Sequence, residues 1–487
     1  SQPQKSSDGQ STQEEQTQAE PEKTELEPVT LSWYFFSGVG QQKDQAEVEA
    51  KMTEYLKDKI NASVKFYPLD WDTFITKTSA MAASGEPFDI VFTASWLSFQ
   101  TNARKNWFVD LNEGGLLDKY APKAKERLGE VFLKGGQVDG KQYALPVYKE
   151  RAQSSGLMFN KAIVDKYNLD INAVNTNEDL EKLLAFVKEH EKDITPLGVA
   201  PGNTIMDGNT WTQYESLSGD SAVPGEIYAD KPDTKVFNRY ETPEYMEKVR
   251  FLRKWYLAGY IDKDAAAKTS TYDQKKKNGK YFAITAGTKP GADAEMSNDK
   301  VTWIQKPMTK IYSTDGNLSG AMNAISSTSK NKERALMLLE LTYTDKELNN
   351  MINFGIENKH YVKISDNFIK LIPDSGYYFG AEWMFGDQTL NYLKEGEDPD
   401  KWKKFEEFNN QAVPFKSIGF SYDNSQWKNE YAAIKSIIQE LGDPLDVGAI
   451  DPEKYVPQLI EKLRKAGTEK YIPDIQAKFD EWLASKQ

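Results

Sequence analysis

Between Val29 and Thr93 the chain alternates strand, helix, strand, helix and strand, and this run leaves few folds open. Val29–Phe36 is apolar and aromatic enough to lie inside a sheet, and Asp44–Ile60 carries Val48, Met52, Leu56 and Ile60 at helical spacing. Val64–Leu69 reads as a second strand. Trp71–Ala83 reads as a second helix, broken by Gly85-Glu86-Pro87, and Asp89–Thr93 as a third strand suited to the interior of a parallel sheet. Such an alternation implies right-handed crossovers and an open α/β sheet. Ligands of open sheets settle at the carboxyl ends of the strands. The residues just after Phe36, Leu69 and Thr93 are therefore the first place to look for a site.

Further along, Val138–Pro146 is a tight turn into a strand, and Gly156–Asn160 opens a new unit. Helices are predicted near Lys161–Tyr167, Asn177–His190, Pro243–Ala258 and Asn331–Leu341, with a buried strand at Lys280–Thr285. Asn203–Thr212 is loop-rich, and the aromatic stretch Gly376–Phe385 has no clear period. Gln426–Leu441, Pro452–Ala466 and Tyr471–Ser485 read as three amphipathic helices. A chain of 487 residues exceeds what one core usually serves, so two lobes are expected. Ser1–Pro28, with Ala19 and Leu26 as its only aliphatic residues, cannot offset its own ordering entropy and reads as a disordered tail or tether.

Composition removes several functions. Net charge is −13 and no basic, aromatic face is present, which speaks against nucleic acid and against a bilayer surface as the main partner. No run approaches the roughly 18 apolar residues of a membrane span. The absence of cysteine excludes disulfides, thiolate nucleophiles and cysteine metal sites. There are two histidines: His190 at a helix end, where it suits the dipole, and His360, which reads as a structural hydrogen-bonding residue. No Ser-His-Asp arrangement, HExxH run, Walker loop or EF-hand is visible, and Gly38-Val39-Gly40 lacks the third glycine of a dinucleotide loop. No cofactor and no metal is expected. A glycoside hydrolase needs only two carboxylates, and nothing marks any pair among the 74 acidic residues.

The positive signal is aromatic: 11 Trp, 25 Tyr and 23 Phe, several of them in loops that follow strands. Sugar rings present flat C–H faces that aromatic rings complement, and Trp and Tyr combine apolar area with a polar tip. Trp33, Trp255 and Trp482 read as core. Loop position selects Trp71 and Trp96 after strands, Trp211 with Tyr214 and Glu215 after the polar loop, and Trp383 with Glu382 in the aromatic loop. Asp72 is either a ligand group or the helix N-cap. Arg151, beside Lys149 and Glu150, is either part of a solvated charge run or a ligand to a hydroxyl. Trp303 and Trp427 rank lower, and Trp427 is retained as a candidate.

Several landmarks occur in order along the body: Ser84–Ile90, Asp139–Pro146, Gly156–Lys161, Ile325–Ala335 with Asn331 and Arg334, Gly355–Tyr361, Leu463–Gly467 and Trp482. Together they resemble the extracellular solute-binding proteins of bacterial ABC importers, in the lipoprotein LplA-like branch of Gram-positive bacteria. Asn358 stands where that branch's G-I-E-G-K-H-Y run has glycine. The resemblance implies an α/β, two-lobed, type II periplasmic-binding-protein-like clamp with hinge strands and C-terminal helices. The lobes expected are 29–147 with part of 286–342, and 148–285 with part of 343–425, followed by a helical segment 426–487. It implies a monomeric, non-catalytic protein that delivers an oligosaccharide to permease subunits of an ABC importer. Residues 1–28 become a spacer behind an N-terminal lipid anchor on the extracellular face of the cell membrane. A carbohydrate-degrading enzyme and a peptide-binding importer component are the alternatives.

Overall fold

Two sheets, each with its own core, form two lobes joined by chain segments that cross between them. The computed structural model describes residues 25–202, 207–267 and 271–486. Ser1–Thr24 of the expected spacer and Asn203–Met206 of the expected loop lie outside them.

In the first lobe β1 (Val29–Phe36) lies between β2 (Ala62–Leu69) and β3 (Ile90–Thr93). β1 and β2 run parallel with Val29 opposite Ala62 and Phe36 opposite Leu69, and β3 runs parallel on the other side with Trp33 opposite Ile90. Helix α1 (Gln45–Leu56) buries Val48, Met52 and Leu56. It stops short of the expected Ile60, because the chain must turn through Asn61, at φ 46°, to enter β2. Helix α2 (Trp71–Ser84) closes on Gly85 in the left-handed region, whose N–H reaches the Met81 carbonyl. Met322–Ile325 returns antiparallel to β3, and Leu145–Pro146 completes the edge.

The second sheet has the order Trp303–Pro307, Ser154–Asn160, Tyr281–Thr288, Thr195–Gly198. Its core joins Leu157 and Phe159 to Leu180, Leu184 and Val187 of the helix Asn177–His190, and to Leu252 and Trp255 of the helix Pro243–Leu257. That first helix opens on a complete capping box, Thr176 with Asp179, where the sequence places its start.

Of the segment 343–425, part of which is expected in the second lobe, Tyr343, Leu348, Ile352, Tyr377, Phe379, Met384 and Phe385 pack into the first core. The Phe385 ring lies edge-on to Trp33 and Phe35, with ring centres 5.3 Å from each. The C-terminal helices form a third core with the second lobe, through Leu459, Tyr471, Ile475 and Phe479 against Tyr240, Tyr245 and Val249. The expected gap at 467–470 is instead a π-turn kinked at Gly467, whose φ of 149° favours glycine. Among the described residues no helix is long and apolar enough to cross a membrane.

His360 has the structural role its position indicates. It is buried, its Nδ1 accepts the Ile356 N–H at 2.9 Å, and its Nε2 meets the Asp44 carboxylate at 3.0 Å. With Nδ1 accepting, Nε2 is the nitrogen placed to donate to Asp44. The hydrogen bond from His360 is the chief reason that the Asp44 carboxyl sits below its ordinary range. His360→Ala strands the Ile356 N–H and leaves a cavity. Loss of about 2–4 kcal/mol in urea unfolding is expected, and a change within experimental error would disprove this role.

Candidate functional site

Three of the predicted tryptophans meet at the carboxyl edge of the first sheet, around the last residue of β1. The Phe36 ring lies edge-on to Trp71 at 5.2 Å and to Trp96 at 5.7 Å, and 6.0 Å from Trp383. Trp71 and Trp96 stack on each other at 5.6 Å with a 15° interplanar angle. They remain 43% and 47% exposed, unusual for the largest apolar side chains.

Each ring is held by its neighbours. Asp70, not Asp72, caps α2: its carboxylate accepts the Thr73 N–H at 3.0 Å, so the helix starts at Trp71 as the chain leaves β2. Asp72 stands exposed in the first turn. Trp96 sits on the turn Ser95–Leu97 and donates its indole N–H to the Gly320 carbonyl at 2.9 Å. The loop carrying Trp383 is tied down through a buried relay. The Trp33 indole donates to Asn323 Oδ1 at 3.0 Å, and Asn323 Nδ2 donates to the Met384 carbonyl at 2.8 Å. Gly386 then passes so close to the Thr342 carbonyl that a Cβ would come within 2.2 Å of it.

Two cavities near these rings bridge the lobes. One, of about 350 Å³, is lined by Ser95, Ser98 and Thr101 from the first lobe, Asp220 and Ser221 from the second, and Asp315 from a crossing segment. The other, of about 250 Å³, places Trp383, Glu382 and Lys394 opposite Glu295 of the second lobe. Trp383 thus borders one cavity, and the serines close to Trp96 in the chain border the other. Glu382 Oε1 accepts the Tyr378 hydroxyl at 3.0 Å and the Lys394 ammonium at 2.9 Å. Burial opposes the charge on Lys394, but the Glu382 carboxylate outweighs it and holds the amine above the ordinary lysine range. Burial pushes the Asp315 carboxyl up to about 6, against the pull of the Gly419 N–H and Lys486.

The other expected residues are not brought to this edge. Trp211 is 3% exposed, with φ 59°, and points inward to give its indole N–H to Asn177 Oδ1 at 2.8 Å in the second core. Tyr214 bonds Thr242 and lines a separate cavity with Asp207, Lys248 and Asp446. Glu215 is buried and accepts the Ser417 N–H at 2.9 Å, tying a crossing segment to the second lobe. The Arg151 guanidinium packs over Phe132 at 5.4 Å, while its backbone N–H bonds Asn409. Trp427 donates to the Tyr422 hydroxyl at 2.7 Å and packs on the C-terminal core. Neither Arg151 nor Trp427 lines the two bridging cavities. Sequence reasoning missed Asp315, Glu295 and Lys394. Ser95 and Ser98 could have been found, since they lie within two residues of Trp96. Among the described residues no group of three or more His, Asp or Glu is placed to hold a metal ion.

Two α/β lobes with ligand-sized spaces between them define a clamp-type binding protein. Residues 50–356 match the family described as bacterial extracellular solute-binding protein, which is more than half the chain, and this protein belongs to that family. Residues 416–484 match a domain of unknown function. A carbohydrate ABC transporter substrate-binding protein of Streptococcus pneumoniae serotype 4 is 30% identical over 446 residues, covering 91% of this chain and 89% of its own. The polygalacturonan/rhamnogalacturonan-binding protein YtcQ of Bacillus subtilis is 23% identical over 388 residues, 72% of this chain and 73% of its own. The N-glycan transport solute binding protein NgtS of S. pneumoniae superposes with a TM-score of 0.81 at 28% identity, covering 95% of this chain and 100% of that one. Its complexes with Man1GlcNAc and Man5GlcNAc give 0.68 and 0.64.

Placement separates the tryptophans energetically. Trp211→Ala should cost about 3–5 kcal/mol as a core truncation, whereas Trp96→Ala should cost about 1 kcal/mol or less because half its surface is already wet. Equal losses in urea unfolding would contradict this division. Asp315 gives a pH-dependent test. Its folded-state value lies above the ordinary carboxyl value of about 3.9, so the folded protein binds the proton more tightly than the unfolded chain. Stability therefore falls as pH rises from about 4 through about 6. Asp315→Asn should raise the melting temperature near pH 8 and lose that advantage near pH 4.

Proposed function

We propose that this protein binds an oligosaccharide in the cleft between its lobes and delivers it to the permease subunits of an ABC importer without chemically altering it. The observation that carries this reading is the half-exposed Trp71–Trp96 stack with Trp383 beside it, Trp383 lining one interlobe cavity and Ser95 and Ser98, close to Trp96 in the chain, lining the other. Aromatic faces complement the C–H faces of pyranose rings, and the polar ends accept and donate to ring hydroxyls. NgtS is described in complex with Man1GlcNAc and Man5GlcNAc, which favours mannose- and N-acetylglucosamine-containing oligosaccharides as the first probes. The pneumococcal relative named as a carbohydrate ABC transporter substrate-binding protein supports the importer as destination. We further propose that the protein works as a monomer at the outer face of the membrane, with the polar residues 1–28 as the spacer behind a lipid anchor.

The higher TM-score against NgtS described without a sugar than against its two sugar complexes is consistent with a relatively open arrangement of the lobes here. Sugar binding should then lower the radius of gyration in small-angle scattering. It should also raise the melting temperature in proportion to the logarithm of sugar concentration. Trp96→Ala and Trp383→Ala should each weaken binding tenfold or more. Recovery of a shortened sugar after long incubation would convert the reading to a degrading enzyme. A peptide panel that raises the melting temperature where no sugar does would convert it to a peptide carrier.

A further inference from the structure

The charges around the two bridging cavities are unequal. Their linings contain five carboxylates, Asp220 and Asp315 in one and Glu295, Glu382 and Glu397 in the other, against two amines, Lys394 and Lys401. Neither amine is uncommitted: Lys394 pairs with Glu382 at 2.9 Å and Lys401 with Glu397 at 3.1 Å. Asp220 is paired with Lys435, and Glu295 with Lys289 at 3.4 Å. Asp315 differs from the rest. Its Oδ1 accepts the Gly419 N–H at 3.1 Å, and among the described residues no donor reaches its Oδ2 and no ion pair neutralises it. Lys486, the nearest amine acting on it, gives its hydrogen bond to the Ile418 carbonyl at 3.2 Å.

We propose that this cleft selects uncharged oligosaccharides and rejects acidic ones, with Asp315 as the specificity-determining residue. The proposal rests on the oligosaccharide reading above. A carboxylate with one oxygen fixed by the backbone and the other uncommitted is an acceptor for sugar hydroxyls, each of which brings its own proton. The same group repels the carboxylate of a uronic or sialic acid. An acidic sugar would also have to break an existing lysine–carboxylate pair to find a cation, leaving a partly buried carboxylate unpaired. Discrimination therefore arises from repulsion as well as from fit.

The test is calorimetry on the full chain at pH 7.5 in low and high salt. The probes are neutral mannose- and N-acetylglucosamine-containing oligosaccharides, the same glycans capped with sialic acid, and oligogalacturonides of matched length. Neutral sugars are expected to bind with little salt dependence. Acidic ones should bind at least tenfold more weakly, with the gap narrowing in high salt as screening grows. Asp315→Asn should weaken neutral binding and narrow the gap several-fold. The salt series on the unmodified protein decides the matter even where that variant folds poorly. An acidic sugar that binds as tightly as its neutral counterpart overturns the selectivity and leaves the oligosaccharide reading standing. If no sugar of either kind binds, both fall.

Discussion

The relation between the lobes depends on a narrow ribbon of backbone hydrogen bonds where the chain crosses from one to the other. Gln153 and Tyr312 exchange a pair of bonds at 2.7 and 2.8 Å. The Ile311 and Ser313 carbonyls accept the N–H groups of Val413 and Phe415 at 2.9 Å. Three crossing segments thus lie side by side, while each lobe keeps its own apolar core. Packed cores resist deformation, but a short ribbon can bend through small dihedral changes while keeping its bonds. Separate cores joined by a short ribbon are the arrangement that hinge closure of a clamp requires.

The aromatic edge is rigid for a different reason. Its rings come from the ends of β2 and β3 and from a loop far along the chain, so tertiary contacts alone hold them together. Phe36 supplies the common wall, and the relay from Trp33 through Asn323 to Met384 fixes the loop that carries Trp383. Breaking the relay at Asn323 would leave a buried indole N–H unpaired, so the platform's geometry is tied to the stability of the first core. Ring surface that could have been buried is instead held open to solvent. A fold tolerates that cost where the surface has a partner.

Periodicity and strand ends made the first sheet and the platform legible. Trp71 and Trp96 follow β2 and β3 directly, and an open sheet presents its strand ends to a ligand. The reasoning failed where loop position had to stand for direction. Trp211 also follows a polar loop, but a left-handed turn aims its ring inward at Asn177. Asp72 sits at a helix start, but the neighbouring Asp70 has the extended backbone that a cap requires. The apolar residues of the segment 343–425 show that it is buried without showing against which sheet, and those up to Phe385 pack on the first. Asp315 left no mark in sequence. Its environment is made by Gly419 and Lys486, far along the chain.

On the proposed reading, the polar groups of the cleft would favour a sugar over water. Glu382 takes both its hydrogen bonds on Oε1, so Tyr378 and Lys394 fix the carboxylate while Oε2 stays uncommitted among the described residues. Asp315 repeats the pattern with the Gly419 N–H as its fixed partner. An acceptor already immobilised loses little rotational freedom when a hydroxyl arrives, so more of the bond's free energy appears as affinity. The aromatic rings require no directional bond and accept any face of suitable width. Stacking alone would bind many sugars weakly. On the proposed reading, the two preset carboxylates would confine the ligand to sugars whose hydroxyls reach both of them at once.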